Sequence, residues 1–429
     1  MDRQIEDKAI YRRMRWRLVP YLLLLYVVAW FDRVNIGFAA LQMNADLGLS
    51  AAVYGFGAGI FFAGYALFEV PSNLVLARVG ARLWVGRIMV SWGLLSIAML
   101  FAQGKWSFYA LRFMLGVAEA GFLPGILYYL GQWFPKSERA GAISLFMLGI
   151  PLSTVFGGPI AGFLLGFDGL QGLRGWQWLF LMEGVPAVLL GIATWLWLPD
   201  SPRAVRWLTS DEQAFVQRQL ETEQRAVEAR HGGSGSLRFA LLHPTVWLLC
   251  VVMFCCQTGS YGLNLWIPQI VKGLSGQSDL LVGFISAIPY VGATLAMLWL
   301  GASSDRSGER FWHVAIPSFI GAAGFIASAW LRSPVPGMAA LTIAAMGDLA
   351  TRGPFWALPS RFLSGSALAA GIALINTAGS LGGFVGPTMV GYVREATGGF
   401  TGGLLFLAGL LVLAGAGTLL LRRSALLRE

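Results

Sequence analysis

Two adjacent charges inside an apolar run announce the chemistry of this sequence. Asp32 and Arg33 interrupt LVPYLLLLYVVAWFDRVNIGFA (18–39), a stretch long enough to cross a bilayer as one helix. An ionisable side chain at the centre of such a helix costs about 2.5–3.5 kcal/mol on insertion scales, so each needs a partner: another helix, water or a ligand. The two do not serve each other, because consecutive helical residues do not face one another. A later apolar run, 106–130, holds Arg112 and Glu119, seven residues and therefore two turns apart on nearly one face. A carboxyl whose proton affinity rises on desolvation, set among guanidiniums that stay charged, is equipment for exchanging a proton against an anion.

Depth suggests a pairing. At 1.5 Å per residue Asp32 lies about 10 Å from the outer end of its span and Arg112 about 9 Å from the outer end of its own, with Glu119 about 20 Å in. If both helices face a common cavity, Arg112 is placed to pair with Asp32 above and Glu119 below. Arg33 is then expected to lack a fixed carboxylate and to stand ready for bidentate recognition of a substrate anion. That vacancy is the premise of anion carriage at this level; Arg33 locked onto a protein acid would remove it. The competing reading is a buried structural quartet, which apolar packing could replace without loss of stability.

The elements that must hold these residues are membrane helices. The 429 residues are 56% hydrophobic and 12% charged, with mean hydropathy +0.64, and a soluble domain carries about twice that share of charge. The hydropathy pattern predicts twelve spans, near 18–39, 52–75, 84–103, 106–130, 140–166, 177–198, 245–271, 279–301, 312–331, 337–360, 367–391 and 400–421. The basic start, MDRQIEDKAIYRRMRWR, precedes a full-length span without a cleavage signature, so the first helix is expected to be retained. Of the 31 Lys and Arg, 23 fall on the side of the termini, and Lys105, Arg174, Lys272, Arg332 and Arg394 fall on the other. Arg33, Arg112 and Arg352 lie within spans. This asymmetry predicts cytoplasmic termini in a cell (inner) membrane and accounts for the net charge of +9 without nucleic acid.

The longest polar interruption divides the chain into a six-helix half (1–198), a cytoplasmic linker (199–244) and a second six-helix half (245–429). Within the linker Thr209-x-x-Glu212 opens an amphipathic, charged helix as a capping box, and HGGSGS ends it. NLVLARVGAR after span two and GASSDRSGER after span eight are offset by 228 residues. The same offset carries Gly158-Pro159 in span five onto Gly386-Pro387 in span eleven, so six helices are duplicated in parallel register.

With these motifs the chain resembles the major facilitator superfamily over essentially its whole length. GASSDRSGER matches that superfamily's Gly-x-x-x-Asp-Arg-x-Gly-x-basic loop through Gly301, Asp305, Arg306, Gly308 and Arg310; the first copy keeps Arg78 but has Ala77 where the Asp belongs. FDRVNIGFA, GYALFEVPSNL, RFMLGVAEAGFLPG, YGLNLWIPQIV, GPFWALPSRFL and GIALINTAGSLGGFVGP resemble the anion:cation symporter family, and within it the tartrate-, phthalate- and hydroxyphenylacetate-type permeases. The resemblance implies an all-α fold of twelve transmembrane helices in two halves related by a pseudo-twofold axis, and a monomer. It implies proton coupling through Asp32 and Glu119 with Arg112 as their switchable partner, and Arg33 on the substrate carboxylate.

Other polar residues are weighed beside these. Gln257, Tyr261 and Asn264 share a face of span seven, as do Asn376 and Ser380 in span eleven; each set either lines a substrate cavity or makes interhelical hydrogen bonds. Tyr65 and Trp356 are further substrate candidates, Trp356 against the commoner role of a core or lipid-facing ring. Asp348 and Arg352 are four residues apart in span ten and can satisfy each other or form a second charged site. Glu69 and Glu183 read as gating or structural, Glu183 favoured by a helix N-terminus.

Cys250, Cys255 and Cys256 fall in one apolar segment and the histidines are scattered, so no metal site or cofactor is expected. No ATP-binding motif appears, which leaves an ion gradient as the energy source. The expected activity is proton-coupled import of a small organic carboxylate by alternating access. A drug exporter is the alternative within transport; an enzyme would need a catalytic constellation, and a channel fits the duplicated halves poorly.

Overall fold

The computed structural model describes residues 2–230, 243–331, 333–363 and 365–422. The HGGSGS break, Arg332 and the basic residues after Arg422 lie outside them. The first half is built from α1 (Asp2–Asp46), α2 (Ala51–Val79), α3 (Ala81–Ala98), α4 (Lys105–Glu119), α5 (Phe122–Trp133), α6 (Lys136–Met147), α7 (Gly149–Leu165) and α8 (Gly175–Trp197). Helix α9 (Ser210–Arg230) belongs to the linker. The second half comprises α10 (Pro244–Ser275), α11 (Asp279–Ser307), α12 (Trp312–Trp330), α13 (Pro334–Ala350), α14 (Arg352–Trp356), α15 (Gly365–Thr397) and α16 (Thr401–Leu421). Among the described residues ten helical segments are long and apolar enough to cross a membrane. The two other predicted spans are helical as well, α13 continuing through Thr351 into α14, and α15.

Spans four and ten are broken, and both breaks fall beside charge. Helix α4 stops at Glu119, Gly121 takes a left-handed φ of 87°, and α5 starts at Phe122. A backbone break inside hydrocarbon must have its freed groups satisfied. Ser72 does so, donating its hydroxyl to the Ala120 carbonyl at 2.6 Å. Gly121 is required twice over, by that φ and because a methyl group there would lie 2.4 Å from Ser72 Oγ. In span ten the helix loosens at Thr351, whose hydroxyl bonds the Asp348 carbonyl at 2.7 Å.

The packing repeats as the 228-residue offset predicts. Helix α7 packs on α1 and on α11, and its counterpart α15 packs on α10 and on α2. The halves therefore meet along α2–α15 and α7–α11, with α1 and α10 between them. Their closest approaches lie at the end of the bundle opposite the termini, here the distal end. A methyl group at Gly158 would come within 2.4 Å of the Gly283 carbonyl oxygen, and one at Gly55 within 2.5 Å of that of Pro387. Gln42 donates to Asp279 at 3.0 Å, and the Ala52 amide to Glu395 at 2.7 Å, at the same end. In the linker the capping box is reciprocal: the Thr209 amide donates to Glu212 at 2.9 Å and the Glu212 amide to Thr209 Oγ1 at 3.3 Å. The three cysteines are buried and free.

Candidate functional site

The four charges of the first half do come together, with partners different from those depth suggested. Arg33 pairs with Glu119: Nε donates to Oε1 at 3.1 Å and Nη2 contacts the same oxygen. Asp32 accepts from Trp92 Nε1 at 2.8 Å and Ser96 Oγ at 2.6 Å, both on α3. Arg112, fully buried, donates to the Ala58 carbonyl at 3.4 Å and lies 4.9 Å from the Phe61 ring centroid. Its Nε and Nη1 are buried without a hydrogen-bond partner among the described residues. The expected Asp32–Arg112–Glu119 chain is absent, and Arg33 is not vacant.

Side-chain direction explains the correction. In a helix every Cα–Cβ bond tilts toward the N-terminus, so antiparallel helices aim their side chains in opposite directions along the membrane normal. Arg33 on α1 reaches proximally, toward Glu119, while Glu119 on α4 reaches distally to meet it. Arg112 on α4 also points distally and turns away from Glu119. Matching depths of Cα atoms ignored this tilt. The premise of a permanently free guanidinium at Arg33 therefore fails for this conformation, in which its anion is a protein carboxylate.

Around the pair stand aromatic faces: the guanidinium carbon of Arg33 lies 5.1 Å from the Tyr65 ring, 5.4 Å from Trp30 and 5.7 Å from Phe61. Across the interface the Tyr261 ring lies 4.2 Å from that of Phe62, next to this cage. Asn376, read as a cavity residue, spans the halves instead by donating to Glu69 at 3.0 Å, and Ser380 donates to the Asn376 carbonyl at 3.2 Å. Gln257 is half-buried against Gly379, and Asn264 is half-buried on the same helix. Trp356 packs on Phe355 and the apolar cluster of the second half; no described contact brings it to the arginines.

In span ten the Asp348–Arg352 separation is 3.9 Å, at the limit of an ion pair. Ser260 stands between them: Arg352 Nη2 donates to Ser260 Oγ at 2.5 Å, and that hydroxyl donates to Asp348 Oδ2. In the loop motif Arg310 pairs with Asp305 at 2.6 Å within its own loop, Gly308 caps α11 with φ 68°, and Arg361 donates to the Gly308 carbonyl at 2.6 Å. Gly301 has open space beside it, and Arg306 and Arg78 are exposed. Glu183 is buried two turns into α8 with neither oxygen bonded, beyond the first turn where a helix N-terminus favours negative charge.

Sequence reasoning missed Trp92, Ser96 and Ser260. A signal existed: Trp92 and Ser96 are four apart and share a face of span three, and Ser260 shares a face with Gln257 and Asn264.

A bundle of duplicated helices with buried, unevenly paired charges where its halves meet is the architecture of an alternating-access membrane carrier. The chain belongs to the Major Facilitator Superfamily, whose model matches residues 22–387. It is similar to a protein of Agrobacterium vitis provisionally named a tartrate transporter, at 50% identity over 419 residues, 98% of this chain and 92% of that one. It is also similar to a quinolone resistance transporter of Acinetobacter baumannii, at 45% identity over 403 residues, 94% of this chain and 92% of that one. Its fold is that of a bacterial homologue of the human lysosomal transporter Spinster, solved facing inward and unoccupied, with TM-score 0.81 at 19% identity over 95% of this chain and 97% of that one. The protein is a multi-pass membrane transporter and not an enzyme.

Proposed function

We propose that this transporter imports a small organic carboxylate together with protons across the cell membrane. The observation that carries the reading is the Arg33–Glu119 pair, a guanidinium whose ionic partner is a protonatable carboxyl buried to 1% of its side chain. Protonation of Glu119 withdraws that partner, and a substrate carboxylate then takes its place on Arg33. The anion site is thus created by the proton rather than standing open, which replaces the vacant-arginine premise. Asp32 is the second proton carrier and Arg112 the fixed positive charge beside both. Tyr65 and Tyr261 shape the cavity, and the tartrate-named relative supports a carboxylate as cargo.

With cytoplasmic termini, the close helix approaches at the distal end would form the outer gate. The halves then rock as two bodies joined by the linker, in a monomer. Proteoliposomes test this: Glu119→Gln is expected to lose pH-gradient-driven accumulation of tartrate while keeping exchange of preloaded substrate. Wild-type-like accumulation by that variant removes Glu119 from the proton path. A second reading, proton-driven export of organic solutes, is supported by the quinolone-resistance relative. Uptake driven by an inward proton gradient selects import; extrusion against the same gradient selects export.

A further inference from the structure

The second half holds its own guanidinium, and its surroundings differ from those of Arg33 in a way that bears on what the carrier accepts. Arg352 is 16% exposed at its side chain, whereas Asp348 is 2% exposed. Of its donors, Nη2 is used by Ser260 Oγ at 2.5 Å and by the Cys256 carbonyl at 3.4 Å, and Nη1 meets a weak acceptor, Met253 Sδ, at 3.7 Å. None of its nitrogens is buried without a partner, unlike Nε and Nη1 of Arg112. The nearest carboxylate oxygen stands off at 3.9 Å, beyond direct hydrogen bonding, and Asp348 Oδ2 is taken by Ser260. Asp348 thus orients Ser260, Ser260 orients Arg352, and among the described residues Nη1 meets no acceptor stronger than the Met253 sulfur.

This side of the guanidinium lies along the stretch of α10 that also reaches toward Arg33. Ser260 precedes Tyr261, whose ring lies 4.2 Å from Phe62 of α2; one turn further along α2, Tyr65 lies 5.1 Å from the Arg33 guanidinium carbon. Each half thus brings one arginine near the Tyr261–Phe62 contact, Arg352 through Ser260 and Arg33 through Tyr65. A ligand with one carboxylate engages one half. A ligand with two engages both and gains a second charge-assisted, planar recognition.

We propose that Arg352 is the second carboxylate anchor of the substrate site, and that the preferred substrate class is a short dicarboxylate held between Arg33 and Arg352. This rests on the carboxylate reading above and deepens it. Because Asp348, Arg352 and Ser260 all belong to the second half, the anchor keeps its place when the halves rock, and the substrate's second carboxylate ties the second half to the first.

The test compares tartrate with glycerate, a monocarboxylate, in wild-type, Arg352→Gln and Arg352→Lys proteoliposomes, with thermal unfolding of each variant recorded to establish that it is folded. Wild type is expected to show a KM for tartrate at least about tenfold below that for glycerate, because the second carboxylate adds a charge-assisted contact. Arg352→Gln is expected to raise the tartrate KM about 10- to 100-fold and to erase most of that preference, and Arg352→Lys to restore part of it. Equal preference for the two acids in wild type, or an Arg352→Gln change that is the same for both, overturns the second anchor and leaves the carboxylate reading standing. Transport of neither acid by wild type overturns the carboxylate reading itself. Should Arg352→Gln prove unfolded, Ser260→Ala decides: a tartrate-selective rise in KM supports the anchor, and an unchanged ratio overturns it.

Discussion

Each half buries an acid beside the break in one span, Asp348 falling one residue past the offset counterpart of Glu119, and the two acids are partnered differently. In the first, Arg33 on α1 holds Glu119 at the end of α4, so the ionic contact joins two helices. In the second, Asp348 and Arg352 are four residues apart across a single break in span ten, with Ser260 of α10 as bridge. In the proposed cycle a proton at Glu119 would loosen one helix from another, whereas a proton at Asp348 would alter a pair held within one half. The comparison teaches that a duplicated scaffold can pair its buried charges between helices in one half and within one span in the other, which is the basis for proposing a switch in the first and an anchor in the second.

Removing charge from each half in turn separates the two roles most sharply. Arg33→Gln strands Glu119, and truncating one member of a buried pair costs about 3–5 kcal/mol. Tartrate uptake is expected to fall by about two to three orders of magnitude in kcat/KM. Asp348→Asn, by contrast, is expected to cost less than about tenfold in the same assay, since Ser260 and the guanidinium remain. Equal losses in the two variants would abolish the distinction between switch and anchor.

A smaller effect sits at Asp32. An amide there keeps Trp92 as donor only by turning its nitrogen toward Ser96, whose hydroxyl must then accept and find another acceptor for its own proton, at a cost of about 1–3 kcal/mol. Asp32→Asn is expected to lower the melting temperature of the purified protein by a few degrees as well as weaken coupling. An unchanged melting temperature with lost coupling would mark Asp32 as a proton carrier alone, without a share in holding α1 to α3. The smallest change is Ser260→Ala, which removes one bridging hydroxyl worth about 0.5–1.5 kcal/mol. It is expected to raise the tartrate KM a few-fold with kcat near wild type, as suits a residue that positions Arg352.

Much of this was legible in one dimension. Hydropathy alone placed the spans, because a bilayer imposes a length on any helix that crosses it. The 228-residue offset anticipated which helices would repeat their packing, since Gly55 of α2 closes on Pro387 of α15 and its offset counterpart Gly283 of α11 closes on Gly158 and Pro159 of α7. The capping box at Thr209 needed only local geometry. Asp32, Arg33, Arg112 and Glu119 were identifiable as a group because charge in hydrocarbon must be explained. Residues such as Trp92 and Ser96 were harder to find, because a ring and a hydroxyl in an apolar span look like packing until an acid is seen beside them.

What the linear order of residues determined, then, is which groups are buried and at what depth. Which group meets which was decided in three dimensions. The tilt of side chains on antiparallel helices gave Glu119 to Arg33 and left Arg112 on a carbonyl and a ring, and the breaks at Gly121 and Thr351 set where the acids end up. Depth follows from counting along a chain; partnership follows from direction, and direction exists only once helices are laid side by side.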